Sequence, residues 1–310
     1  MAYRILSLDG GGIRGLISTI VLMRLSREKG LADWLEGAQL LAGTSTGALI
    51  ALALARGIAL EEILALYRDK ADEIFDDSLF DNLKDAGTLL GAQYRTEGLQ
   101  RELQRLFGAA RLRDLKKRVL ITAFDLDNED PRPARRRWKP KLFHNFPGSD
   151  SDGAMPVWKV GLYTSAAPTY FPSHNGYVDG GVVANNPSLA ALTQTQDPRA
   201  ELNPRPALGD VRMLSLGTGG ILSYIAGKRH NWGYAQWAKP LINLLLDASM
   251  GIADYQCRQI MRENYHRLAP IFPPKVNIMM DEWKRSKELI KFGESADVAP
   301  TVEWLGQVGW

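Results

Sequence analysis

The sequence has one cysteine, Cys257, and four histidines in 310 residues. A single thiol closes no intrachain disulfide, which excludes a small, disulfide-stapled secreted fold and fits a reducing compartment. Charge of either sign is nearly absent in net terms. The 38 basic and 35 acidic residues leave +3, too balanced to indicate a nucleic-acid partner. No apolar run approaches the roughly 18 residues of a membrane span, and the mean hydropathy is −0.19. The first residues run straight into a strand-like segment, so no signal peptide is expected. The default compartment is the cytoplasm, with peripheral membrane association. There is no internal repeat and no low-complexity tract. What is present is ordinary globular composition, 45% apolar and 24% charged, in a chain long enough to bury a sizeable core. The proline-rich patch at 198–206 reads as a loop rather than a linker, so a single domain over residues 1–310 is expected.

Glycine carries the first signals. Tyr3-Arg4-Ile5-Leu6-Ser7-Leu8 has strand length and stops at Asp9-Gly10-Gly11-Gly12-Ile13-Arg14-Gly15. Leu16, Ile17, Ile20 and Leu25 then recur at helical spacing. Gln39-Leu40-Leu41-Ala42 reads as a second buried strand. Gly43-Thr44-Ser45-Thr46-Gly47 breaks it, and residues 48–55 read as a buried helix. Two strand–loop–helix units in succession predict an α/β protein with a parallel, helix-covered sheet. Helices are also predicted over 60–75 and 96–107, the second capped by Thr96. The stretch 61–85, with nine acids against three bases, reads as a solvated face. Residues 119–124 and 211–216 read as further strands, and 125–141 as a polar loop. From about residue 233 the pattern is mostly helical.

Gly10-x-Gly12-x-x-Gly15 matches the dinucleotide-binding fingerprint. The physics beneath it is broader, because a glycine loop at a helix start offers free N–H groups to a phosphate or to an oxyanion. The fingerprint also wants an acid closing the second strand, yet Asp33 and Glu36 precede that strand. The strand ends instead at Gly43-x-Ser45-x-Gly47, the nucleophile-elbow pattern, in which a tight turn lifts a serine hydroxyl above the sheet edge. Such a serine needs a proton acceptor and an oxyanion stabiliser. The Gly10–Gly12 loop, brought beside the elbow by adjacent strands, can supply the second. Arg14 can brace that loop or approach a substrate. None of His144, His174, His230 and His266 sits in a context that marks a base. Tyr177-Val178-Asp179-Gly180-Gly181, a short apolar stretch ending in a carboxylate at a glycine turn, is the stronger candidate.

Asp9-Gly-Gly-Gly-Ile-Arg-Gly15, Gly43-Thr-Ser-Thr-Gly47 and Asp179-Gly-Gly181 stand in the order and spacing of the patatin-like phospholipase family, which this sequence resembles over about residues 4–190. The small-residue run Thr164-Ser165-Ala166-Ala167-Pro168 and Asn186-Pro187 add to the likeness, which thins out over 207–310. The resemblance implies a three-layer α/β/α fold with a mostly parallel sheet. It implies a Ser–Asp dyad, with Ser45 as nucleophile, Asp179 as base and the N–H groups of Gly10, Gly11 and Gly12 as oxyanion hole, and no metal or organic cofactor. The implied substrate is a phospholipid or other glycerolipid ester at a membrane or micelle surface. Some members of the family are switched on by a partner or ligand.

Two further segments bear on lipid. Residues 132–141 hold six bases and no acid around Trp138, which suits an anionic lipid surface. Trp237 and Trp283 are expected in the core, and Trp304 and Trp310 at a lipid interface or a partner contact. Leu241 to Leu246 suit an acyl groove. Two other functional readings stand beside the dyad. One is an esterase of the α/β-hydrolase type using His230 or His266 with Ser45 and Asp179. The other is a nucleotide-binding module built on Gly10–Gly15.

Overall fold

The computed structural model describes residues 2–74, 92 and 94–310. Its elements follow in order: β1 (Tyr3–Leu8), α1 (Gly15–Arg27), β2 (Leu40–Gly43), α2 (Thr46–Arg56), α3 (Leu60–Asp69), α4 (Ala71–Ile74), α5 (Glu97–Phe107), β3 (Arg118–Asp125), β4 (Lys139–His144), α6 (Val157–Ser165), β5 (Tyr177–Asp179), α7 (Gly181–Ala184), α8 (Ser188–Gln194), β6 (Val211–Leu216), α9 (Tyr234–Met261), β7 (Tyr265–Leu268), α10 (Ser286–Ser295) and α11 (Ala299–Gln307). The sheet runs β4-β3-β2-β1-β6-β7, with β5 also paired to β3. The pairs β1–β2, β1–β6, β2–β3 and β6–β7 are parallel. Only β4 and β5 run against β3.

The central strands read as near-continuous apolar runs because both faces are covered. Side chains alternate between two cores at period two. Leu6, Leu8, Leu41, Val119, Ile121, Leu214 and Leu216 face one core, under α1, α2, α3, α5 and α6. Ile5, Leu40, Ala42, Leu120, Val211 and Met213 face the other, under α8 and the end of α9. This is the three-layer architecture expected.

Several local expectations change. The helix read at 60–75 is two helices, α3 and α4, and the rest of the acidic stretch lies outside the described residues. Thr96 precedes α5 but makes no side-chain capping bond. The loop read at 125–141 already holds the start of β4, and the helical tail contains β7. Tyr-His-Arg-Leu is too short and polar to announce a strand, and β7 forms because β6 offers it a parallel partner. Trp304 and Trp310 both pack against the protein's own core. Trp304 is buried, donates its indole N–H to the Glu263 carbonyl at 2.8 Å and stacks on His266. Trp310 donates to the Trp34 carbonyl at 2.9 Å. Of the two tryptophans expected in the core, Trp283 packs against it, whereas Trp237 meets Trp232 edge-on outside both cores.

Candidate active site

β3 acts as a ruler that brings Ser45 and Asp179 together. β2 ends with Gly43 opposite Ile121. β5 takes over the same edge of β3 two residues on, with Asp179 opposite Ala123. Between them the Thr122 hydroxyl lies 2.7 Å from that of Thr44, which also donates to the Ala184 carbonyl at 2.6 Å. The elbow leaving β2 is therefore tied to the segment that follows Asp179.

The elbow itself is strained. Ser45 has φ 51° and ψ −123°, a conformation that costs a non-glycine residue about 1–3 kcal/mol. Its N–H donates to the Thr164 hydroxyl at 2.8 Å, and its carbonyl accepts from Leu49 at 3.1 Å as α2 begins. The flanking glycines are required by close approach. A Cβ on Gly47 would stand 2.2 Å from the Leu8 carbonyl oxygen, and one on Gly43 would stand 2.4 Å from the Ala48 Cα. Ser45 and Asp179 line the same cavity, and the Asp179 carboxylate accepts the Gly181 N–H at 2.7 Å. Burial pushes the Asp179 pKa up to about 6, with the Gly181 N–H and the Ser45 hydroxyl pulling the other way. That value suits a group that must accept a proton near neutrality.

The glycine loop lies against the elbow, since a Cβ on Gly10 would sit 3.4 Å from the Ser45 Cβ. Its three amides are not equivalent, which departs from the expected set of donors. The Gly10 N–H is already committed to the Asn185 carbonyl at 3.0 Å. Gly11 and Gly12 line the cavity beside Ser45, and no protein acceptor takes their N–H groups among the described residues. The loop is held from several directions. The Thr218 hydroxyl donates to the Gly10 carbonyl at 2.9 Å. The Met280 carbonyl accepts from Ile13 at 2.8 Å and abuts Gly12, whose φ is +58°. Asp9, at the loop's root, is fully buried against Arg267 at 2.6 Å, and Arg267 reaches the Ser215 hydroxyl at 2.7 Å. Burial works against the Arg267 charge, but the Asp9 carboxylate overrides it and holds its pKa above the usual range.

Arg14 is buried and does not line the cavity. Burial pulls its pKa down to about 10, opposed by Asp247, Tyr170 and Asp9. Its Nε has no hydrogen-bond partner among the described residues. None of the four histidines lines the cavity. His266 bonds Thr301 at 3.0 Å, and His230 rests on Trp232. The base that an α/β-hydrolase reading requires is thus missing from the site.

The space beside Ser45, counted together with the open solvent at its mouth, is about 940 Å³. Ser45, Asp179, Gly11 and Gly12 stand among walls that include Leu49, Leu66, Leu99, Phe171, Val182 and Leu246. Of the Leu241 to Leu246 run, Leu246 joins this wall, while Leu241, Leu244 and Leu245 are exposed. Among the described residues no group of three or more His, Cys, Asp or Glu is placed to hold a metal ion. No helix there is long and apolar enough to cross a membrane.

Sequence reasoning missed Asn185, Arg267 and Met280. Asn185 adjoins the Asn-Pro pair that was noticed. Arg267 and Met280 lie beyond every motif and gave no signal.

The model of the patatin-like phospholipases matches residues 6–192, and the chain belongs to that family. A "cGAMP-activated phospholipase" of Pseudomonas aeruginosa is 33% identical over 275 residues, 86% of this chain and 78% of that one. "Patatin-like protein 1" of Oryza sativa is 30% identical, over 84% of this chain and 71% of the other. VipD of Legionella pneumophila, a solved structure, is a looser likeness, with a TM-score of 0.42 and 13% identity over 94% of this chain and 67% of that one. The family and its named relatives make this chain a lipid hydrolase.

Proposed function

We propose that the chain cleaves carboxylic ester bonds of phospholipids or related glycerolipids through an acyl-enzyme on Ser45. The reading rests on one observation above all. A strained serine and a buried carboxylate share the wall of a largely apolar cavity. Ser45 Oγ attacks the ester carbon while its proton passes to Asp179. The oxyanion forms against the Gly11 and Gly12 amides, the two donors with no other acceptor among the described residues. Collapse expels the alcohol or lysolipid, which takes the proton from Asp179. Water, deprotonated by Asp179, then attacks the acyl-serine, and Ser45 is released with the fatty acid. Preorganised donors of this kind are worth about 3–4 kcal/mol each.

The test is hydrolysis of a soluble p-nitrophenyl ester and of mixed phospholipid vesicles. Ser45→Ala and Asp179→Asn are each expected to lower both rates about a thousandfold or more. Full activity in Asp179→Asn would place the base elsewhere. The assay is run with and without cGAMP, the activator named for the Pseudomonas relative. Turnover only in its presence would extend that relationship from chemistry to control.

A further inference from the structure

Among the described residues, large apolar side chains are exposed mainly at one edge of the sheet, and it is the edge that carries Ser45. β1, β2, β3 and β6 all run toward this edge. The loop after β3 exposes Leu126 and Trp138, the latter 71% accessible. The segment after β6 exposes Leu222 and Tyr224. α9 contributes most. Its end packs Cys257 and Met261 beneath the first residues of β6 and β7. Ser249 bonds the Asn185 N–H at 3.2 Å, and Leu246 stands over Gly181. The helix therefore runs antiparallel to the strands, and Leu246 already lies at the edge. The twelve residues before Leu246 carry it about 18 Å further at 1.5 Å per residue. Leu241, Leu244 and Leu245 are exposed there.

Charge after β6 and at the start of α9 is one-sided. Residues 217–246 contain no Asp or Glu, but do contain Lys228, Arg229 and Lys239. In the β3–β4 loop Arg132 pairs with Asp130, and Arg136 with Asp127. That leaves Arg135 and Arg137, both exposed, without an ion pair among the described residues.

We infer that this edge is a docking face for an anionic lipid surface, with the first turns of α9 and Trp138 entering the interface and Arg135 and Arg137 meeting the headgroups. An interfacial helix pairs an apolar face with flanking cations, and each cation near such a surface adds about 1 kcal/mol. Leu246 joins the two functions, because it adjoins the exposed leucines and lines the cavity. A lipid lifted along α9 enters at the catalytic wall. The inference rests on the lipid-hydrolase reading, so its test separates binding from turnover.

Binding is measured on Ser45→Ala protein by co-sedimentation with phosphatidylcholine vesicles, with and without phosphatidylglycerol. Leu244→Asp with Leu245→Asp is expected to weaken binding to both vesicles at least about tenfold. Arg135→Glu with Arg137→Glu is expected to abolish the phosphatidylglycerol increment and its salt dependence, and to leave the phosphatidylcholine baseline intact. With Ser45 restored, both variants should hydrolyse the soluble ester at the wild-type rate. Unchanged sedimentation of both variants overturns the inference. So does a parallel loss on the soluble ester, which would mean the substitutions disturb the site. Absent vesicle binding, with a dimer that the leucine substitutions disperse, would assign the face to a second copy of the chain. Vesicle binding by a protein that hydrolyses nothing would instead sink the enzymatic reading and spare this one.

Discussion

The two glycine turns at the head of the sheet look alike in sequence and are held in different ways. The elbow after β2 is supported by its neighbours. Gly43 is pressed by Ala48, Gly47 lies against the Leu8 carbonyl next door, and Ser45 is caught by the first turn of α2. The loop after β1 is supported from afar, by Asn185, Thr218, Arg267 and Met280. One turn is a local device and the other an assembled one. A reactive side chain can be positioned by a few residues of backbone geometry. The glycine loop needs the rest of the fold to close around it.

Breaking the local turn should cost most. Gly47→Ala puts a Cβ into backbone that has no room to move, and the expected loss is at least about 4 kcal/mol, read as a fall in the urea midpoint. Near-wild-type stability would show that the elbow can relax.

Arg267→Met attacks the assembled turn at its root and leaves Asp9 buried without its cation. The expected cost is about 3–5 kcal/mol. Adding Asp9→Asn should restore much of it, whereas failure of the double variant to recover would make the pair a packing feature rather than an electrostatic one.

The groups facing both turns give a pH test. Activity that depends on ionised Asp179 should fall about tenfold per unit below pH 6. The stability sign is opposite. Because the folded pKa is raised above the usual 3.8, the native state binds the proton more tightly. Ionised Asp179 therefore costs stability above pH 6, and that cost shrinks as pH falls toward 4. Asp179→Asn should accordingly be more stable at pH 8, by up to about 3 kcal/mol, with the gain shrinking toward pH 4. A gain that ignores pH would point away from the buried charge.

The smallest effect belongs to one strut. Thr218→Val leaves the Gly10 carbonyl without its 2.9 Å hydroxyl partner, at about 1–2 kcal/mol. On the proposed mechanism, turnover of the soluble ester should fall more than binding of it.

Legibility in the sequence followed the same division. Strand, elbow and helix were readable through residues 39–56 because each step depends on neighbours. The glycine loop was readable as a turn, but the inequality of its amides was not. Only the fold brings the Asn185 carbonyl to Gly10. β7 and the burial of Trp304 were hidden for the same reason, since both depend on partners far along the chain. The clustering of exposed apolar residues at one edge was invisible until strand direction gave them a common side.

The place of β6 limits how this chain can be shortened. The family match ends at residue 192, yet β6, at Val211–Leu216, pairs with β1 along its whole length from Tyr3 to Leu8. A fragment cut at 192 would keep Ser45 and Asp179 and expose six residues of apolar strand as a bare edge. Such an edge recruits other strands, so the fragment bearing every motif would be the one most prone to aggregate.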